Sequence, residues 1–121
     1  MVLVADDDEN SAAFMTAVVR KLGYQPIWVT DGQVAFERAK TAKPAVIMMD
    51  LMMPGFDGLT SIRLLRVSNA TQQIPIVVVS GLDAASHAEK CREAGAAAFL
   101  AKPLTADQVR AVLRDLHLGG A

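Results

Sequence analysis

The chain has 121 residues, 12 basic and 13 acidic, with a formal charge of -1 at neutral pH. Its 52% hydrophobic content argues against disorder. No apolar run approaches the roughly 20 residues that cross a bilayer, and without a basic run there is no electrostatic footprint for direct nucleic-acid binding. The apolar start runs straight into acids and is too short for a signal peptide. Cys91 stands alone, which excludes a disulfide framework and a cysteine-rich metal site and fits a reducing, cytoplasmic setting. One domain over residues 1–121, without membrane insertion, is expected at this size.

In chain order, five short apolar runs alternate with five segments of helical period. Residues 2–5 predict the first strand. The acids Asp6, Asp7, Asp8 and Glu9 follow, and then a helix on which Phe14, Val18 and Leu22 share a face. Gly23 is placed to end it in a left-handed cap. Residues 27–29 predict a second strand, with Pro26 at its start, tolerable where an edge strand can spare one donor. Residues 45–49 form a third run that delivers Asp50. The next helix carries Leu59, Ile62 and Leu65 on one stripe. Residues 74–79 predict a fourth strand ending at Ser80 and Gly81. Ser86 with Glu89 reads as a capping box opening the fourth helix, and Gly95 as its stop. Residues 97–100 predict a fifth strand, followed by Lys102 and Pro103. Thr105 and Gln108 form a second capping box, opening a helix with Val109, Val112, Leu113 and Leu116 on one face.

The runs lack polar alternation, as expected of strands covered on both faces. Strict βα alternation implies a doubly wound α/β fold, a five-stranded parallel sheet between two helical layers. The commonest order for five units is 2-1-3-4-5, which puts the ligand site where the winding reverses, at the carboxyl ends of strands one and three. Asp6, Asp7, Asp8, Asp50, Ser80 and Lys102 are then all at one rim.

One acid, Asp8, is accounted for as a helix cap. The others oppose one another's ionisation, a conflict that a hard dication resolves; Mg²⁺ takes one or two carboxylates, water and a phosphate oxygen. Asp50 lies among apolar residues, where an unpartnered charge is costly. Beside a cation it stays ionised and can attack phosphorus to form an acyl phosphate. Lys102 and Ser80 can steady the equatorial oxygens. His87 and His117 read as solvated helix residues, and no glycine-rich phosphate loop for ATP is present. Cys91 reads as a structural residue of the fourth helix.

Four segments together resemble the receiver domain of two-component response regulators: Val2 through Glu9, Met49 through Gly58, Ile74 through Gly81, and Gly95 through Pro103. The resemblance covers essentially the whole chain and implies a flavodoxin-like (βα)5 fold of three αβα layers. It implies that Asp50 is the phosphoacceptor, that Asp7 binds Mg²⁺ (Mn²⁺ as a substitute) directly and Asp6 mainly through water, and that the Met52 carbonyl is a further ligand. Ser80 matches the switch hydroxyl, Lys102 the phosphate-binding lysine and Phe99 the aromatic switch position; the peptide before Pro103 is expected to be cis. Phe99 lacks the hydroxyl of the Tyr often found there, and Gly81 stands where Ala is common, leaving space for a phosphoryl group. Apolar Met52 and Leu82 flank the expected path of a hydrolytic water and imply a slowly hydrolysing phosphoform.

The implied partners are a sensor histidine kinase or a histidine phosphotransfer protein, with an unidentified downstream effector and a possible homodimer. The chain itself is expected to catalyse only its own phosphorylation and dephosphorylation, to carry no output domain, and to signal through helix four, strand five and helix five. Three other readings stay open. An aspartyl-phosphate hydrolase would use Asp6 and Asp8 and leave Asp50 idle. A flavin binder would need phosphate-holding donors where Asp6–Asp8 stand. A receiver-like interaction domain would keep the fold without phosphorylation.

Overall fold

Five strands and five helices alternate along the chain: β1 (Val2–Ala5), α1 (Glu9–Lys21), β2 (Pro26–Val29), α2 (Gly32–Ala42), β3 (Val46–Asp50), α3 (Gly58–Val67), β4 (Ile76–Ser80), α4 (Ala84–Ala94), β5 (Ala98–Ala101) and α5 (Ala106–Asp115). This computed structural model describes residues 1–51, 55, 58–81 and 84–116, with side chains in α4 from residue 88 onward. The strands form one sheet in the order β2-β1-β3-β4-β5, with every pairing parallel. From β1 the chain steps outward to the edge strand β2, then crosses back over β1 to β3. The winding reverses there, and the carboxyl ends of β1 and β3 open a crevice at the rim.

The continuous apolar runs are explained by a core on each face. Successive strand residues point to opposite sides, and here both sides are covered. Leu3, Ala5, Ile47, Met49, Ile76 and Val78 pack with Ala35 and Ala39 of α2, Ile62 and Leu65 of α3, and Cys91 of α4. Val2, Val4, Val46, Met48, Val77 and Val79 pack with Met15, Val18 and Val19 of α1 and Val109, Val112 and Leu113 of α5. The layers are therefore α2, α3 and α4 on one face and α1 and α5 on the other.

Three strands lie one or two residues further along than the apolar runs suggest. Asp50 pairs with Val79 and Ser80 with Ala101, so polar residues at the rim still belong to the ladder. At the other end, Ile74 closes a turn onto the Thr71 carbonyl (3.0 Å) before β4 begins. Hydrophobicity follows burial, whereas a strand is defined by its main-chain partners.

Caps fix most helix ends. Asp8 caps α1 by accepting from the Ser11 N–H, and hydrogen bonding from the Ser11 side chain, with that N–H second, holds its carboxyl below the usual carboxylate range. Asp31 caps α2 by accepting from Gln33 and Val34. The capping box of Thr105 and Gln108 is fully formed. The one expected of Ser86 is not: α4 begins at Ala84, so Ser86 and His87 lie inside its first turns, and Glu89 pairs instead with Arg92 at 2.7 Å. Phe14 is likewise displaced from its expected place. The buried face of α1 is Ala12, Met15, Val18 and Val19, while Phe14 is 39% exposed.

Gly23 and Gly95 both follow helices with positive φ, 95° and 121°. Their surroundings differ. A Cβ on Gly23 would meet nothing within 4 Å, whereas one on Gly95 would come 2.5 Å from Cγ of Arg66. Arg66 is not free to step aside: its guanidinium donates to the carbonyls of Gly95 (2.8 Å) and Gln72 (3.0 Å), tying α3 to the turns before β4 and β5. Gly23→Ala is expected to cost about 1 kcal/mol for the left-handed backbone alone. Gly95→Ala should cost about 2 kcal/mol or more, since it also breaks the Arg66 contacts. Urea denaturation of the two variants side by side measures the difference.

Candidate functional site

Each residue expected at the rim is placed there by a strand end. Asp6 follows β1 and remains tied to β2, its N–H donating to the Val29 carbonyl at 3.0 Å. Asp50 is the last residue of β3 and Ser80 the last of β4. Lys102 follows β5, and its N–H donates to the Ser80 carbonyl at 2.9 Å, so the β4–β5 ladder sets the start of the lysine side chain. The Lys102–Pro103 peptide is cis.

The side chains then converge. The Lys102 ammonium donates to Oδ2 of Asp50 at 2.8 Å and to Oδ2 of Asp6 at 3.0 Å. Both acids are buried, Asp6 completely. Asp7 is exposed, yet it offers an oxygen that lies, with oxygens of Asp6 and Asp50, in a set all within 4.8 Å of one another. Asp6 is held at every polar group: Oδ1 accepts from the Asp8 N–H at 2.8 Å, Oδ2 from Lys102, and the main-chain carbonyl from the indole N–H of Trp28 at 2.8 Å.

Burial is the largest influence on the Asp6 carboxyl and pushes it above the usual carboxylate range, against the Asp8 N–H and Lys102, with the Asp50 charge adding to the rise. Burial alone would lower the Lys102 ammonium, but its bonds to Asp50 and Asp6 outweigh this and raise it. Three carboxyl groups against one ammonium leave a formal excess of two negative charges. Oxygen donors with a net deficit of two positive charges suit a hard dication such as Mg²⁺, and the residues present therefore fit the ion.

Ser80 is fully buried, and Phe99 on β5 is partly buried, packed with the α4 side of the core near Cys91 and Ala96. The space beside Gly81 is open: a Cβ there would meet no described atom within 4 Å. Met52, Leu82 and His117 fall outside the described residues, as does the side chain of His87, and with them the expected carbonyl ligand and the flanks of the water path. Next to Lys102 a groove of about 460 Å³ runs between α1 and the β5–α5 turn, lined by Asn10, Ser11, Phe14, Met15, Pro103 and Leu104. Phe14, which lies outside the buried face of α1, lines this groove. The Trp28 bond had no forewarning in the sequence.

A parallel five-stranded α/β domain with an acid cluster and a lysine at its winding reversal defines the class. Within that class, the family model described as "Response regulator receiver domain" matches residues 2–114, and the chain belongs to that family of two-component signalling domains. Response regulator PleD of Caulobacter vibrioides is 34% identical over 115 residues, 95% of this chain but only 25% of PleD. Sensory/regulatory protein RpfC of Xanthomonas campestris is 32% identical, over 95% of this chain and 16% of RpfC. The chain thus spans a quarter or less of these two relatives. Protein PilH of Pseudomonas aeruginosa is 30% identical over 85% of both chains. Among solved structures, the receiver domain of the Francisella response regulator 1452 superposes with a TM-score of 0.88 at 29% identity, covering 99% of this chain and 98% of that one. The receiver domain of the sensor histidine kinase PA1611 from Pseudomonas aeruginosa gives 0.87 at 27% identity, covering 95% and 94%, and it holds a magnesium ion in its active-site cleft.

Removing the ammonium leaves two buried carboxylates facing each other. Lys102→Met is therefore expected to destabilise the metal-free protein by about 3 kcal/mol, the scale for breaking a buried pair by deleting one partner, reduced slightly because the lysine is partly exposed. Urea unfolding in EDTA measures the loss, and saturating MgCl₂ should return part of it.

Proposed function

We propose that this chain is a phosphoacceptor receiver that takes a phosphoryl group onto Asp50 in a Mg²⁺-dependent reaction and signals by a change of surface. The observation that carries the reading is the Lys102 ammonium held between Asp50 and Asp6, with Asp7 completing the acid cluster. Asp50 is the nucleophile: a carboxylate oxygen forms the bond to phosphorus, and the donor's P–N bond breaks with its electron pair leaving on the imidazole nitrogen of a phosphohistidine. Lys102 balances charge on the transferred oxygens, and Ser80 supplies a hydrogen bond to them. Asp6, Asp7 and Asp50, with the Met52 carbonyl, are the groups proposed to hold the ion, which supplies charge neutralisation for the incoming phosphoryl group.

The donor is a sensor histidine kinase or a histidine phosphotransfer protein. The groove beside Lys102 supports this, since a protein delivering phosphohistidine to Asp50 must cover that side of the rim. After transfer, about two negative charges stand on Asp50. Ser80 closes on them, Phe99 turns toward the vacated space, and the surface of α4, β5 and α5 shifts between two populations. Catalysis by the chain is confined to its own phosphorylation and dephosphorylation, and residues 1–121 act as one receiver unit.

Acetyl phosphate with MgCl₂, followed by intact mass and site mapping, tests the reading. Stoichiometric, acid-stable and base-labile labelling of Asp50 is expected, lost in Asp50→Asn and in EDTA. Unimpaired labelling of Asp50→Asn, or steady turnover of phosphate monoesters, overturns it.

A further inference from the structure

Trp28 is the single tryptophan of the chain, and it sits on the edge strand β2 with 46% of its surface exposed. It pairs in the ladder with Val4, which faces the α1 side of the sheet. From there its indole N–H reaches past the end of β1 to the Asp6 carbonyl at 2.8 Å. Burial accounts for only part of the choice of residue, since nearly half of the side chain stays in water. What only the indole adds is a directed donor.

That donor meets a specific need. The last rung between β1 and β2 is the Asp6 N–H on the Val29 carbonyl. Beyond Val29 the chain turns into α2, capped by Asp31, while β1 gives way to the acids. The Asp6 carbonyl belongs to the peptide that joins Asp6 to Asp7. Fixing its direction fixes the plane of that peptide, and with it the direction in which Asp7, the exposed member of the acid cluster, leaves the main chain. The other two acids are held otherwise, Asp50 by the β3 ladder and Lys102, and Asp6 by Asp8 and Lys102. Asp7 has no such anchor on its own side chain among the bonds described.

We infer that Trp28 is a positioning residue of the acid cluster: its indole N–H locks the Asp6–Asp7 peptide so that Asp7 meets Asp6 and Asp50 around a dication. The inference deepens the proposed function and rests on its ion site. Partners that orient metal ligands from one shell out typically change metal affinity by tenfold or more when lost.

Two measurements on the whole chain test it. In the metal-free wild-type protein, the indole N–H resonance should exchange slowly with water and shift when MgCl₂ is added. In calorimetric titrations with MgCl₂, Trp28→Phe, which keeps the ring and loses the donor, should bind about tenfold more weakly than wild type while still melting cooperatively. Equal affinity in Trp28→Phe, or an indole proton that exchanges as freely as in the amino acid or ignores Mg²⁺ bound by the wild type, overturns the positioning role. If the wild type takes up no Mg²⁺ at all, the ion site fails and the inference with it; a protected indole proton would then place the error in the ion site rather than in the bond. Should Trp28→Phe not fold, the indole resonance decides alone.

Discussion

The rim is organised around one ammonium. Lys102 Nζ touches two carboxylates that come from strands far apart in the sequence, and all three groups are partly or wholly withdrawn from water. An ion pair in this position is weak evidence for stability, because removing the charges from water costs nearly what their attraction returns. Its value is geometric. The lysine holds Asp50 and Asp6 at a separation they would not keep alone, and the remaining negative charge makes the crevice attractive to a dication. Each strand contributes by ending where it does: β1 delivers Asp6, β3 Asp50, β4 Ser80, and the β4–β5 ladder carries Lys102 to meet them.

The sheet serves that geometry through parallel pairing. Because every strand points the same way, all the carboxyl ends arrive at one edge, and the reversal between β1 and β3 leaves a gap there that no crossover fills. Two cores, one per face, keep the strands from sliding: Met48 and Met49 are both fully buried though their side chains point in opposite directions. A slip of one residue in β3 would carry Asp50 away from Lys102, and it would also exchange the contents of the two cores.

Element order and rim residues were legible because each left a local trace: apolar runs of strand length, acids immediately after them, glycine where a helix must turn left-handed; the sheet order came instead from the commonest arrangement of five βα units. Less local features were not. Ser86 and Glu89 have the spacing of a capping box, but α4 starts earlier, and Glu89 finds Arg92 on the same helix face. Phe14 has helical spacing with Val18, yet the small Ala12 and the flexible Met15 fill the core beneath α1, and the ring is left beside Pro103 and Leu104. Asp31 as the cap of α2, and the left-handed Lys43 that ends it, sit in polar turns whose residue types suit many conformations. Trp28 was invisible for a different reason, since its partner is a peptide oxygen rather than a side chain.

The same is true of Arg66, whose guanidinium, among the described residues, donates to the main-chain carbonyls of Gly95 and Gln72. An ion pair between side chains leaves a matched trace among descendants, because changing one member presses the other to follow. A side chain that grips the peptide backbone leaves no such echo: every residue type at position 72 supplies the same oxygen. Among divergent copies of this domain, the tie from Arg66 to position 72 would therefore leave no paired substitution, whereas its tie to position 95 would show, because a Cβ there meets the Arg66 side chain.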